Sequence, residues 1–109
     1  MAVTYDDVRR VALAMPHVVD SSSYGTPALK VGKTLLVRLW ETGDVIVVKM
    51  PFDRREELIE GDPDTYFITD HYAPYEWVLA RLARLSAEAL PDLLGMAYRA
   101  AKSSKKPRK

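Results

Sequence analysis

The stretch ALKVGKTLLVRLWETGDVIVVKMP, Ala28 to Pro51, decides the fold. Its core is Val45–Met50, a β-branched run with the strongest strand signal in the chain. Before it, Glu41-Thr42-Gly43-Asp44 reads as a four-residue turn, with Gly43 free to take a positive φ. Thr34–Trp40 is again β-branched and apolar, and Gly32-Lys33 separates it from a shorter run, Pro27–Val31. Three strands joined by two tight turns predict an antiparallel meander.

Helices are predicted on both sides of this meander. Upstream, Thr4 is an N-cap candidate with Asp7 three residues on. Val8, Val11, Ala12 and Met15 then form one helical stripe, and Pro16 ends it. Between that helix and the meander, VVDSSSYGTP (18–27) reads as loop or a short irregular edge segment. Downstream, Asp53 with Glu56 gives a second N-cap pattern, for a helix reaching Glu60 and stopped by Gly61. Asp62-Pro63-Asp64 is a turn, Tyr66–Thr69 a short strand, Asp70–Glu76 a polar and aromatic loop, and Trp77–Leu82 a further strand. Leu90, Leu93, Leu94, Ala97, Tyr98 and Ala101 make the clearest helical stripe, with Pro91 expected at its first position. The order α-βββ-α-ββ-α predicts a two-layer α+β domain. An antiparallel sheet of about five strands carries the helices on one face. The expected domain is 1–101, followed by a disordered basic tail over 102–109.

Alternation along the strands assigns the two faces. Leu29, Val31, Leu35, Val37, Leu39, Ile46, Val48, Met50, Val78, Ala80 and Leu82 form the apolar face that the helices cover. The opposite face receives Lys30, Arg38, Lys49 and Arg81, one cation from each of four strands, with Trp40 and Trp77 among them. Cations interleaved with aromatic rings suit a polyanion: the cations neutralise phosphates, and the rings stack on bases. The plainer alternative has these side chains snorkelling over an exposed sheet, paired with Glu41, Asp44 or Glu76.

Composition narrows the chemistry. A chain of 109 residues, 48% hydrophobic and 28% charged, is globular and long enough for one modest core. The absence of cysteine excludes disulfides, thiolate metal sites and cysteine nucleophiles. The net charge of +1 conceals an asymmetry, because KSSKKPRK at the end holds five cations and no acid. The preceding 11 cations face 15 acids, so the body is mildly acidic. No apolar run approaches the roughly 20 residues of a membrane span, and MAVTYDDVRR lacks the pattern of a secretory signal. A cytoplasmic protein is expected. His17 and His71 are far apart, with no ligand spacing around them. Ser21-Ser22-Ser23 has no nucleophile motif, and GxGxxG, P-loop and HExxH are all missing. These observations predict no catalytic residue, no metal and no cofactor.

ALAMP (12–16), SSSYGTPALKVGKTLLVRL (21–39), VIVVKMP (45–51), YFITDHY (66–72) and WVLARL (77–82) occur in that order. The combination resembles the MmcQ/YjbR family over roughly residues 8–101. Tyr24, Gly25, Pro27, Lys30, Lys49, His71 and Trp77 are among the motif residues. The resemblance implies a compact α+β fold similar to type III secretion chaperones and frataxin-like proteins. It also implies DNA binding in what is described as a double-wing arrangement, without catalysis. In that reading Lys30, Arg38, Lys49 and Arg81 contact phosphates, and Trp40 and Trp77 give apolar or stacking contact. An iron-binding role like that of frataxin would need an acidic ridge on the first helix, but Arg9 and Arg10 follow Asp6 and Asp7 closely. The alternative is a protein-interaction or chaperone-like module docking a protein partner on the same face through exposed Leu36, Trp40, Val45, Val47 and Leu79.

Overall fold

The computed structural model describes residues 3–23 and 25–104. The elements are α1 (Tyr5–Leu13), β1 (Val18–Ser23), β2 (Thr26–Val31), β3 (Thr34–Leu39), β4 (Val45–Lys49), α2 (Phe52–Gly61), β5 (Tyr66–Phe67), β6 (Trp77–Arg81) and α3 (Ala89–Ser104). They form an α+β domain around a six-stranded sheet of order β1-β2-β3-β4-β6-β5, antiparallel at every pairing. The sixth strand is β1, in the segment expected to be irregular. Val18 pairs with Val31 and the ladder runs to Ser23 opposite Thr26, with Gly25 at φ +80° in the connecting turn. Its serines have low strand propensity, but an edge strand packed on one neighbour tolerates them. The Glu41–Asp44 turn closes as expected: Gly43 takes φ +85° and its N–H donates to the Trp40 carbonyl.

Each helix starts on a side-chain acceptor. At α1 the capping box is complete: Thr4 Oγ1 accepts from the Asp7 N–H at 3.2 Å, and Asp7 Oδ2 accepts from the Thr4 N–H at 3.0 Å. At α2 the expected Asp53 cap is absent. Pro51 occupies the cap position, and Glu76, distant in sequence, offers Oε2 to the Phe52 N–H at 3.3 Å. At α3, Ser86 Oγ accepts from the Ala89 N–H at 3.0 Å. Pro91 therefore lies within the first turn rather than at the first position, where its missing N–H still costs nothing. This helix runs through Ser104, beyond the expected boundary at 101. Residues 105–109, which hold most of the expected basic tail, lie outside the described residues.

Helices pack on one face. Val8 and Ala12 of α1, and Leu90, Leu93, Leu94, Ala97 and Ala101 of α3, meet Leu29, Val37, Ile46, Val48, Val78 and Ala80 in one cluster. Leu58 and Ile59 of α2 pack against it. The sheet departs from simple alternation at one place. Leu29 pairs with Val37 but Lys30 pairs with Leu35, so Leu36 is the extra residue of a β-bulge. The bulge turns Leu36 into the helix-covered core and moves Leu35 to the opposite face, the reverse of the strict-alternation assignment. No helix among the described residues is long and apolar enough to cross a membrane.

Candidate nucleic-acid interface

The sheet face away from the helices carries Lys30, Arg38, Lys49 and Arg81, as alternation requires. Ala28 pairs with Arg38, Arg38 with Val47 and Val47 with Leu79, which places these side chains in one cross-strand row. Lys30 beside Leu35 and Lys49 beside Trp77 form the row on one side of it. Arg81 beside Val45 lies on the other side, where the Trp40 N–H donates to the Val45 carbonyl.

This face is covered, contrary to the expectation of an open sheet. Residues 68–76 leave β5 and cross it as a strap before entering β6. Val45, Val47 and Leu79 are 6%, 1% and 0% exposed, beneath Trp40, Phe67, Tyr72 and Trp77. The apolar surface that a protein partner would have used is thus largely consumed within the chain. The strap makes turns of its own, with the Tyr72 and Ala73 N–H groups both donating to the Thr69 carbonyl. Three of its carbonyls, with that of Trp77 at the start of β6, converge on Arg55, a buried α2 residue. Nη1 donates to Tyr75 at 2.7 Å, Trp77 at 3.2 Å and Tyr72 at 3.4 Å, and Nη2 donates to Ala73 at 3.1 Å. The Arg55 guanidinium also lies 4.8 Å from the Phe52 ring. Met50 N–H donates to the Glu76 carbonyl, which fixes the strap's far end to β4.

The four expected phosphate ligands therefore differ in availability. Arg38 is only 3% exposed. Its Nη2 donates to Tyr72 Oη at 2.8 Å and lies 3.6 Å from Glu41. Its Nη1 donates to Thr26 Oγ1 at 3.1 Å and the Leu39 carbonyl at 3.3 Å. Arg38 thus anchors the strap from below and is not a surface cation. Of the acids expected to neutralise this face, Glu41 reaches Arg38, whereas Glu76 turns to α2 and Asp44 accepts from Thr42. Arg81 is exposed, stacked 4.1 Å from the Phe67 ring, with Nη1 donating to the Asp64 carbonyl at 3.2 Å. Lys49 Nζ stands 5.3 Å from the centre of the Trp77 ring. The Lys30 side chain, half-buried, makes no hydrogen bond or ion pair among the described residues.

Two clefts flank Arg38 and Tyr72. One, of about 290 Å³, is bordered by Leu35, Val47, Tyr75 and Trp77. The other, of about 350 Å³, is bordered by Trp40, Glu41, Thr69 and His71. His71 packs edge-on against Tyr72 at 4.8 Å. His17 lies elsewhere, at φ +69° in the corner between α1 and β1. Among the described residues no three His, Asp or Glu side chains are grouped to hold a metal ion.

The model of the YjbR family matches residues 13–100. The chain belongs to the YjbR family. Curated relatives from Mycobacterium tuberculosis and Mycobacterium bovis, each described as an uncharacterized protein, are 27% identical over 115 residues, covering 87% of this chain and 85% of theirs. The crystal structure of a Deinococcus radiodurans protein with a DUF419 domain superposes with a TM-score of 0.81 at 23% identity. That match covers 98% of this chain and 84% of the other and shows the shared fold.

Sequence reasoning missed three residues of this YjbR site. Arg55 looks like one of several charged helix residues, and nothing local shows that its partners are carbonyls some 20 positions away. Tyr72 carries a weak signal, an aromatic residue in a polar loop. The sequence pattern puts Thr69 at the end of a strand, but β5 stops at Phe67 and Thr69 falls in the strap.

Proposed function

We propose that this YjbR protein binds DNA without catalysing a reaction on it, through the edge of the strapped face where Lys30, Lys49 and Trp77 lie together. The observation that carries this reading is the Lys49–Trp77 pair, a cation 5.3 Å from an indole ring, at the margin of an open cleft and in the same cross-strand row as Lys30. Lys30 and Lys49 lie two strands apart, about 10 Å by ordinary strand spacing. They can therefore meet separate phosphates while Trp77 offers apolar or stacking contact. Arg81, across the strap, supplies a further contact, with its guanidinium plane held by Phe67. Arg38 is left out of the phosphate set because it is buried. The cations of the C-terminal sequence add long-range attraction.

Two or three phosphate contacts support weak, mostly non-specific binding, with a dissociation constant of about 10⁻⁴–10⁻⁶ M at physiological salt. The test is a duplex DNA titration between 50 and 200 mM salt, with Lys49→Glu, Arg81→Glu and a variant ending at Ser104. The log–log salt slope should be about −2 to −3 for the chain ending at Ser104, and should shrink by about 1 for each phosphate contact removed. No binding by the full chain at 50 mM salt rejects the reading. The protein-interaction alternative loses its main argument with the burial of Val45, Val47 and Leu79 beneath the strap and of Leu36 in the core.

A further inference from the structure

The second cleft has a different chemistry from the first. We infer that the cleft between the end of β3 and the strap, lined by Trp40, Glu41, Thr69, His71 and Tyr72, receives one unpaired guanine base. This deepens the nucleic-acid reading and rests on it for the base being part of a DNA strand.

Four observations converge on that ligand. The cavity, at about 350 Å³, falls within the range of small-ligand pockets. Its border includes the rings of Trp40, Tyr72 and His71, surfaces on which a planar base can stack. It holds an exposed carboxylate, Glu41, whose two oxygens can accept two parallel N–H groups. Finally, Thr69 Oγ1 is buried and has no hydrogen-bond partner among the described residues. An orphan hydroxyl is an unmet cost in a folded chain, and a ligand edge entering this cleft could satisfy it. The Arg38 guanidinium at the floor keeps the cleft from being simply acidic.

The donor and acceptor pattern selects the base. Guanine presents an imino and an amino N–H side by side, which match both oxygens of one carboxylate, and a carbonyl next to them. Adenine and cytosine offer one amino donor on that edge, with acceptors where Glu41 would be repelled. Thymine offers one imino donor between two carbonyls. In duplex DNA the same guanine edge is consumed by pairing, so the cleft discriminates single strands from duplexes, whereas Lys30 and Lys49 do not.

The test follows the Trp40 and Trp77 indole N–H signals and the Glu41 and Thr69 amides by ¹H–¹⁵N NMR. The full chain is titrated with GMP, AMP, CMP and TMP, a thymine nonamer with or without one central guanine, and a duplex. GMP and the guanine-containing strand should shift Trp40, Glu41 and Thr69. The duplex should shift Trp77 and leave Trp40 in place. Glu41→Gln should weaken GMP binding by about fivefold or more. Thr69→Val loses no side-chain hydrogen bond to the described residues, so it should melt no lower than the parent while also weakening GMP. Equal response to all four mononucleotides, or a GMP response that spares Trp40 and Glu41, overturns the inference. GMP binding without any response to the guanine-containing strand assigns the cleft to free guanine nucleotides and overturns the strand source. Lys49→Glu should weaken binding of every oligonucleotide and leave GMP untouched. If no oligonucleotide binds at all while GMP does, the backbone reading fails and the base site stands.

Discussion

The two faces of one sheet are closed by different means. On one face the cover is helical, with backbone groups paired internally, so α1, α2 and α3 need contribute only apolar side chains. On the other face the cover is an irregular strap with only a few turn hydrogen bonds of its own. Arg55 donates to three of its carbonyls and to that of Trp77, and Arg38 donates to the Tyr72 hydroxyl from below. One cover is stabilised by burial distributed over many side chains, the other by two buried guanidinium groups acting at particular points. A sheet face can therefore be rich in cations without presenting all of them to a ligand.

Four substitutions probe this contrast. Leu94→Ala, on the helix side, should cost about 2–5 kcal/mol of unfolding free energy in denaturant titrations. A loss below 1 kcal/mol would show that α3 can repack as freely as a loop. Arg55→Ala should cost about 2–4 kcal/mol, because it leaves buried carbonyls without a donor. It should also expose Val47 and Leu79, and native-state hydrogen exchange should then rise in β6 more than in α3. Equal loosening of both would mean that the strap and the helices form one cooperative unit. Tyr72→Phe removes one bond to Arg38 but leaves the Arg55 contacts, and should cost about 0.5–1.5 kcal/mol. Smallest is Asp20→Asn. Arg9 hydrogen-bonds Asp20 at 2.7 and 2.8 Å and holds its carboxyl below the ordinary range. A lowered carboxyl pKa stabilises the fold above the unfolded value, and that contribution disappears as pH falls through the folded one. Below about pH 4, in an acid melting series, the parent should therefore lose its small advantage over Asp20→Asn.

Much of the helix-covered face was legible because period-2 alternation is local. Ile46, Val48, Met50, Val78 and Ala80 all went to the core as read. Leu35 and Leu36 were exchanged because a bulge depends on pairing with β2, which no local pattern encodes. Asp53 failed as a cap because Pro51 already sets the chain's entry to α2 and the acid that reaches its first N–H comes from the strap. For the candidate site, alternation placed Lys30, Arg38, Lys49 and Arg81 on one face. It could not show that DHYAPY folds back over Arg38, since that depends on Arg55 meeting carbonyls distant in sequence.

The bulge at Leu36 bears on how much length variation this sheet tolerates. On either side of it, Leu35 and Val37 already point to opposite faces, as neighbours in an unbroken ladder would. Deleting Leu36 would therefore bring Leu35 and Val37 together with their facing preserved, and every cation and indole would keep its side of the sheet. What the deletion removes is one buried leucine, not the phase of the strand. At this position the chain can gain or lose a residue without a shift of frame, whereas the same deletion at Val47, which sits in regular pairing on both sides, would send Val45 and Lys49 to opposite faces.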